Sequence, residues 1–307
     1  MYNIHMNKTV LNKTEYAKQE ISRELMLANV GDKLRPISDY EYEYDVARGT
    51  IQKAIQMLCN DGTIKLESNH RNGSTITYID YIKLQHNFIA GPILGALTIP
   101  STIVSQGLVT ALNRSLETFE CDIIYARKSK TRFQMLSTNK CQFAVCSLYA
   151  AKKYLSRYRD IKILFNFGPY TYMSEHVLVF KDKSINSIKG GMRVGFDPTS
   201  MDNMDIIDYV VSGIQNVELV PIKARNTLRH LNNNEIDCGL WTANDVDDKT
   251  YGIQKINFSS IMDFTTAVLI IRSNDSFTEK FLNKYIDTSE IIKIQQQVIN
   301  KEIAVDY

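Results

Sequence analysis

The chain has 307 residues, of which 44% are hydrophobic and 23% are charged, an ordinary composition for a globular protein. Its length favours two domains over one. Its formal net charge of only +2 excludes a strongly basic nucleic-acid-binding chain, so any contact with DNA has to come from a local patch.

The N-terminal segment MYNIHMNKTVLNKTEY is polar and lacks the apolar stretch of a secretory signal. No apolar run approaches the ~18 residues that span a bilayer. The five cysteines and five histidines are scattered, without the spacing of a disulfide framework or a zinc site. We therefore expect a cytoplasmic protein with no membrane contact, no bound metal and no cofactor.

The next two segments predict helices. Hydrophobic side chains recur along residues 16–27 at the spacing of one helical face, and Gly31 ends this helix. A second helix is predicted to begin at Ser38, because Ser38 and Glu41 have the spacing of a capping box.

The third predicted helix lies in DVARGTIQKAIQMLCNDG, residues 45–62, whose apolar residues follow the i, i+3, i+4, i+7 pattern. Two alternating segments then flank Asn72-Gly73, a pair typical of β-hairpin turns. Three helices followed by a hairpin are the winged helix-turn-helix pattern, which we assign to residues 1–82.

After a linker at residues 83–92, short apolar strands alternate with helical segments, a pattern typical of an α/β domain with a largely parallel sheet. We expect this domain to occupy residues 93–307. The predicted strands are, in chain order, ILGALTI, CDIIYA, QFAVCSL, KILFNFG, SEHVLVFK, GMRVGFD, VELVPIK, IDCGLWT and TTAVLIIR.

The segments GDKL, VARGTIQKAIQMLCNDGTIKLES and RNGSTITYI resemble the DNA-binding domain of GntR-type transcriptional regulators. The sequence departs from that family at Ala47, where the family has a serine, and at Ser38 and Gln52, where it has arginines. These departures imply fewer phosphate contacts, and therefore weaker and less salt-dependent non-specific binding to DNA. The residues in register with the family are Val46, Arg48, Thr50, Ile51, Ala54, Ile55, Leu58, Gly62 and Gly73.

The outward face of the third helix supplies the predicted DNA contacts. Arg48 can bond bidentately to guanine and Gln52 to adenine in the major groove. Thr50, near the helix start, suits a phosphate, and Arg71 at the wing tip can enter a minor groove. The predicted DNA-binding residues are Ser38, Arg48, Gly49, Thr50, Gln52, Lys53, Arg71, Asn72 and Gly73.

The N-terminal domain carries no net charge, because the chain up to Lys83 has eleven basic and eleven acidic residues. A neutral domain binds DNA only if its charges segregate, and we therefore expect a homodimer on a palindromic site. The alternative that the outward helix face is merely solvated stays open for Lys53 and Gln56.

The C-terminal region resembles the type 2 periplasmic-binding-protein fold, and more specifically the YhfZ-like family of regulators, which join a winged helix to this fold. The resemblance implies two α/β lobes that close over a small molecule. We expect the chain to cross between lobes near residues 179–189 and 247–256, with the second lobe at about residues 185–250. The segments that carry the resemblance are YARKSKTR, FAVCSLYAA, FGPYTYMSEHVL, RVGFDPTS, VDD and QQQVINKEIAVDY.

Ligands of such folds bind at the carboxyl ends of strands and at helix N-termini. Ser/Thr pairs at two strand-to-helix turns, and an arginine that closes a strand, favour an anionic effector with a carboxylate or phosphate. As alternatives, the hydroxyls are helix caps, the arginine is a surface charge, and the histidine and tryptophan are core residues. The predicted ligand-binding residues are Ser101, Thr102, Arg127, Ser129, Ser147, Tyr172, Ser174, His176, Thr199, Ser200, Trp241 and Asn244.

Three classes of function compete. The leading hypothesis is a transcription regulator whose winged helix binds double-stranded DNA and whose cleft binds the effector. An enzyme on the same fold would use Cys146, Cys238, His176 or Asp197, yet no G-x-S-x-G elbow or dinucleotide loop accompanies them. A solute-binding receptor is disfavoured by the winged helix and the missing signal.

Overall fold

The computed structural model describes residues 12–69, 73–257 and 261–306. The chain divides into two compact units. The first unit comprises residues 1–93, 116–122 and 280–285, and the second comprises residues 94–115, 123–279 and 286–307.

The first unit contains the predicted three helices and hairpin, which confirms the winged helix-turn-helix. A short further helix occupies part of the segment predicted as a linker. In chain order the elements are α1 (Lys13–Leu25), α2 (Ile37–Tyr44), α3 (Arg48–Asn60), β1 (Ile64–Asn69), β2 (Gly73–Ile79) and α4 (Tyr81–His86).

Helix α1 begins earlier than its apolar pattern predicts because Asn12 caps it. The Asn12 side-chain oxygen accepts hydrogen bonds from the amides of Thr14 and Glu15, at 3.0 and 2.9 Å. The C-terminal end of α1 is bound by side chains from distant parts of the first unit. Lys284 Nζ donates to the Ala28 carbonyl at 2.6 Å, and Tyr285 Oη donates to the carbonyl of Met26 at 2.7 Å.

The predicted capping box of α2 is wrong. The helix begins at Ile37 after Pro36, and no side chain caps it. Proline already holds the backbone dihedral that a helix start requires, so the chain turns into the helix one residue earlier. The Ser38 hydroxyl instead donates to the adjacent Asp39 carboxylate at 3.2 Å.

Helix α3 buries one face and exposes the other. Ala47 precedes it with no side-chain cap, so the serine missing from the family pattern is not replaced by another capping group. The first helical amides are bonded only by backbone, as where the Thr50 amide donates to the Ala47 carbonyl at 2.8 Å. The buried side chains are the predicted Ile51, Ala54, Ile55 and Leu58.

Strands β1 and β2 form an antiparallel hairpin in which Asn69 pairs with Gly73. Gly73 has φ of +78°, a left-handed conformation that favours glycine. The predicted wing-tip residues Arg71 and Asn72 lie outside the described residues.

The second unit is built on two five-stranded sheets, one for each lobe. The strands run β4-β3-β5-β12-β6 across the first sheet and β11-β7-β10-β8-β9 across the second. The strands are β3 (Ile93–Leu97), β4 (Cys121–Tyr125), β5 (Phe143–Ser147), β6 (Ile161–Asn166), β7 (His176–Phe180), β8 (Arg193–Phe196), β9 (Glu218–Pro221), β10 (Cys238–Thr242), β11 (Gly252–Lys255) and β12 (Ala267–Arg272).

Helices connect these strands and complete two α/β lobes, which confirms the predicted α/β fold class. Apolar side chains between helices and sheet form a separate core in each lobe. The helices are α5 (Ile103–Leu116), α6 (Ser129–Ser137), α7 (Leu148–Leu155), α8 (Met201–Val211), α9 (Thr227–Asn232), α10 (Ile261–Thr265), α11 (Ser276–Tyr285) and α12 (Thr288–Ile299).

The sheets are mixed and not largely parallel as predicted. Strand β12 runs antiparallel to its neighbours β5 and β6, and β7 runs antiparallel to β10 and β11. Because β7 and β11 both belong to the second sheet, the lobes are joined by residues 167–175 and 256–266. The predicted crossings, near residues 179–189 and 247–256, were wrong by about one strand at each point.

Candidate functional site

The outward face of α3 presents the predicted DNA-contacting side chains to solvent. Gly49, Gln52, Lys53 and Gln56 are exposed, whereas Thr50 is half-buried. Arg48 is the first helical residue, and its side chain is 62% exposed with Nη1 3.6 Å from a carboxylate oxygen of Glu41. An exposed ion pair of this length is worth little, so Arg48 is available to another anion.

Charge segregates between the two helices of the helix-turn-helix. Helix α3 carries two basic residues and no acidic one, whereas α2 carries Asp39, Glu41 and Glu43 and no basic residue. The N-terminal domain therefore has no net charge, but its α3 is basic and its α2 is acidic. Ser38, on α2, is exposed within that acidic helix.

A cavity of about 790 Å³, which we call the cleft cavity, lies in the second unit and draws its lining from both lobes. Its walls are the segments that follow the carboxyl ends of β3, β4, β8, β9 and β10, together with side chains of α7 and the residues Tyr172, Met173 and His176. Nine of the twelve predicted ligand residues line it: Ser101, Thr102, Arg127, Ser129, Tyr172, His176, Thr199, Ser200 and Trp241.

The three other predicted ligand residues do not line the cleft cavity. Ser147 is fully buried, caps α7, and donates to the Asp202 carboxylate at 2.7 Å. Ser174 is buried, and Asn244 is exposed in a short 3₁₀ turn.

Several of the lining hydroxyls also serve as helix caps, as the structural alternative predicts. The Ser105 amide donates to Thr102 Oγ1 at 3.2 Å, and Ser200 accepts from the amide of Asn203 at 3.3 Å. Thr199 donates to the Asp197 carboxylate at 2.6 Å. These hydroxyls therefore hold the starts of α5 and α8 in place at the edge of the cleft cavity.

The lining is rich in cations. Five basic and three acidic residues line the cleft cavity. Only Lys153 among the five is in an ion pair with an acidic residue of the described ranges, namely Asp205. Sequence reasoning found one of these cations, Arg127, because it ends a strand. It missed Lys128, Lys130, Lys153 and Arg225, which lie on helices or in loops without a motif.

The two lobes are hydrogen-bonded to each other beside the cleft cavity. Tyr149 and Lys153 of α7, in the first lobe, both bond the Asp205 carboxylate of α8, in the second lobe. Burial raises the pKa of the neighbouring Asp202, opposed by the hydrogen bond from Ser147 and by the charge of Arg132. The structure therefore has its lobes joined on one side by α7 and α8.

His176 is an unusual member of the lining because it is 96% buried. Its Nδ1 has no hydrogen-bond partner among the described residues, and burial lowers its pKa to about 4. The imidazole is therefore neutral at physiological pH. A buried nitrogen without a hydrogen-bond partner lowers the stability of the fold. A polar molecule bound in the cavity would supply the missing hydrogen bond.

Two thiols and a carboxylate among the residues named above for an enzyme are buried. Burial raises the pKa of both Cys146 and Cys238 to about 12, so these thiols are protonated near neutral pH. Partial burial of Asp197 is outweighed by hydrogen bonds from Thr199 and the Ala224 amide, which lower its pKa. Its carboxylate is thus engaged in holding two loops.

Two further searches concern metal and membrane. In residues 12–69, 73–257 and 261–306, no three His, Cys, Asp or Glu side chains gather into a group that would hold a metal ion. Over the same ranges no helix combines the length and apolar character needed to cross a bilayer.

Sequence profiles of two families match the chain. The profile described as the YhfZ C-terminal domain matches residues 80–307, and one described as a helix-turn-helix domain matches residues 29–76. The first match covers most of the chain and confirms the YhfZ-like resemblance. The second match is to a helix-turn-helix family in general, so the narrower GntR-type resemblance stays a prediction.

Individual relatives agree with these matches. YhfZ from Escherichia coli (strain K12) is 24% identical over 301 residues, which is 97% of this chain and 98% of that protein. The crystal structure of YhfZ from Shigella flexneri is 25% identical with a TM-score of 0.55, covering 71% of this chain and 100% of that one. The OxyR C206 mutant of Corynebacterium glutamicum, at 9% identity and a TM-score of 0.50, covers 96% of this chain and 98% of its own and shares the fold alone.

Proposed function

The chain belongs to the family defined by the YhfZ C-terminal domain, and from that premise we propose that it is a transcriptional regulator controlled by a small anionic effector. In this proposal α3 reads double-stranded DNA in the major groove, as half of a homodimer, and the cleft cavity binds the effector. Because it works on DNA, it acts in the cytoplasm.

The observation that carries the proposal is the pairing of two features in one chain. The helix-turn-helix exposes a basic face on α3, and the second unit has a cleft cavity lined by five basic residues. A regulator needs both a DNA-reading surface and a site whose occupancy biases it between two states. The exposed amide and basic side chains of α3 are the types that read base edges.

The DNA-binding half of the proposal is tested by gel shift with double-stranded DNA from upstream of the protein's own gene. We expect a discrete complex that Arg48→Ala weakens about tenfold or more, since a good base contact is worth ~1–3 kcal/mol. Arg159→Ala, which removes an exposed arginine of the second unit, is the matched control and should bind as wild type. Equal binding by both variants would remove α3 from the interface.

The effector half is tested by thermal-shift measurements with a panel of small anionic metabolites. A saturating effector should raise the stability by ~2–4 kcal/mol through mass action. The same effector should alter the gel shift of the wild-type protein. If stabilising anions leave DNA binding unchanged at every concentration, the cleft cavity is not a regulatory site.

A further inference from the structure

Arg132 lies beneath the lining of the cleft cavity and is fully buried. It is the only lysine or arginine among the buried residues of the described chain. Charged side chains are almost never fully buried without a partner of opposite charge, because removal of a charge from water is costly. Arg132 therefore requires a compensating negative charge.

No described carboxylate supplies that charge at ion-pair distance. The guanidinium donates only to neutral oxygens, which include the carbonyls of Ala126 and Arg127, and its Nε has no partner in the described chain. Asp202 is the acidic group close enough to feel its charge, and this carboxylate is engaged by the Ser147 hydroxyl. The buried cation therefore has no direct ion-pair partner among the described residues.

The remaining contacts of Arg132 lead directly into the cleft cavity. Its Nη2 donates to the Ser129 hydroxyl at 3.0 Å and to the Tyr172 hydroxyl at 3.1 Å. Both of these residues line the cleft cavity. Because one nitrogen binds both hydroxyl oxygens, the two hydroxyls are held side by side.

This arrangement fixes the polarity of the two hydroxyls. A hydroxyl that accepts from a guanidinium still has its own proton to donate, and neither proton has an acceptor in the described ranges. The positive charge behind each oxygen polarises the O–H bond and strengthens the donor. Burial also raises the pKa of Tyr172, which keeps the phenol protonated as a donor.

We propose that Arg132 is the positioning residue for the effector's negative charge, and that Ser129 and Tyr172 together donate to the two oxygens of a carboxylate. This proposal rests on the proposed effector binding in the cleft cavity. Two donors and one buried cation match a carboxylate with its single charge. A phosphate, with up to two charges and three free oxygens, would need more donors than these two hydroxyls.

Acetate, acetamide and inorganic phosphate are suitable probes on the full-length protein at constant ionic strength. Trp241 is the only tryptophan of the chain and lines the cleft cavity, so its fluorescence reports occupancy directly. We expect a saturable response to acetate and a response to acetamide at least tenfold weaker. Stronger binding of phosphate than of acetate would overturn the assignment to a carboxylate.

The variants Tyr172→Phe and Ser129→Ala each remove a single hydroxyl and leave the core filled. We expect each to weaken acetate binding about tenfold, the usual cost of a charge-assisted hydrogen bond, and to lose the preference for acetate over acetamide. Arg132→Lys keeps the charge but loses the guanidinium nitrogens that hold the two hydroxyls, and it should show the same loss of preference. Arg159→Ala, which removes an exposed arginine of the second unit outside the lining, should change acetate affinity less than threefold.

Three outcomes would overturn the proposal: equal affinity for acetate and acetamide, unchanged selectivity in the hydroxyl variants, or no saturable response to any probe. The gel shift on the same preparations separates this test from the proposed function. If the protein binds acetate through these hydroxyls but does not bind DNA, the proposed regulatory function is wrong and the proposed carboxylate site is still supported. If the protein binds DNA but none of the probes, only the proposed carboxylate site is wrong.

Discussion

The neutral, buried His176 links the cleft cavity to the stability of the fold. In the unfolded chain its imidazole has an ordinary pKa of 6.5, whereas burial in the folded protein lowers the pKa to about 4. The unfolded state therefore takes up a proton first as the pH falls. The contribution of this residue to stability is complete above pH 6.5 and is lost progressively between pH 6.5 and 4.

Replacement of His176 by phenylalanine should flatten this pH dependence. With the shift above, the wild-type protein should lose about 2 kcal/mol at pH 5 through this residue alone, and His176→Phe should not. At pH 7 the variant should be about as stable as wild type, because an apolar ring removes a buried nitrogen without a partner. Denaturant titrations at pH 7 and pH 5 measure both effects. Parallel pH profiles for the two proteins would show that the imidazole keeps its ordinary pKa in the folded protein.

At the same scale, the sequence predicted which residues lie near a site better than what they do there. Strand ends and helix starts were sufficient to bring nine residues to one cavity, since carboxyl ends of parallel strands meet at one edge. The hydrogen bonding of the buried Arg132 was not predictable, because one of its partners, Tyr172, lies forty positions away in the chain. No local pattern distinguishes this arginine from the exposed Arg127.

Between elements, one carboxylate of α1 bonds three side chains that lie in α2 or just before it. Glu24 of α1 accepts hydrogen bonds from Arg35 at 2.8 Å, from Tyr40 at 3.0 Å and from Tyr44 at 3.3 Å. Burial, followed by the charge of Glu24, raises the pKa of Tyr40 well above its usual value. The phenol therefore remains a hydrogen-bond donor at any physiological pH and ties the two helices together.

Tyr40→Phe should destabilise the first unit by about 1.5–3 kcal/mol, the usual worth of a hydrogen bond to a charged group. Tyr42→Phe is the matched control on the same helix, because Tyr42 is 92% exposed and should change stability by less than ~0.5 kcal/mol. Thermal unfolding of both variants provides the comparison. Equal melting temperatures would mean that the helices are held by apolar contacts without help from Glu24.

Elements with strong local signals were predictable, and those defined by distant pairing were not. The apolar spacing of α3 and the glycine at the hairpin turn were sufficient to predict the order of helices and strands in the winged helix correctly. Strand β7 contains the apolar run VLVF, which would fit either sheet, and only the pairing of β7 with β10 places it in the second lobe. For that reason the predicted crossing fell one strand too late.

At the scale of the whole molecule, the first unit is assembled from three separate parts of the chain. Phe119 and Phe281, both buried, pack edge to face with centroids 4.8 Å apart, and Tyr285 lies against both rings. Tyr81 joins this cluster through Phe119 and Tyr285 and donates to the Ala28 carbonyl at 2.8 Å. The aromatic cluster thus supports α1, which packs on α3.

Phe281→Ala should accordingly loosen the helix-turn-helix. Removal of a fully buried phenylalanine costs ~3–5 kcal/mol, and hydrogen exchange should accelerate in α1 and α3. Phe133→Ala, an equally buried phenylalanine in the core of the second unit, is the matched control and should accelerate exchange there instead. Faster exchange in the same strands of the second unit for both variants, with α1 unaffected, would contradict this role for Phe281.

The three-part origin of the first unit also bears on protein synthesis. A ribosome makes α1 to α4 long before it makes residues 280–285, which complete the packing around α1. The first unit therefore cannot finish its packing as it is synthesised. Its helices stay incompletely packed until most of the second unit has also been translated.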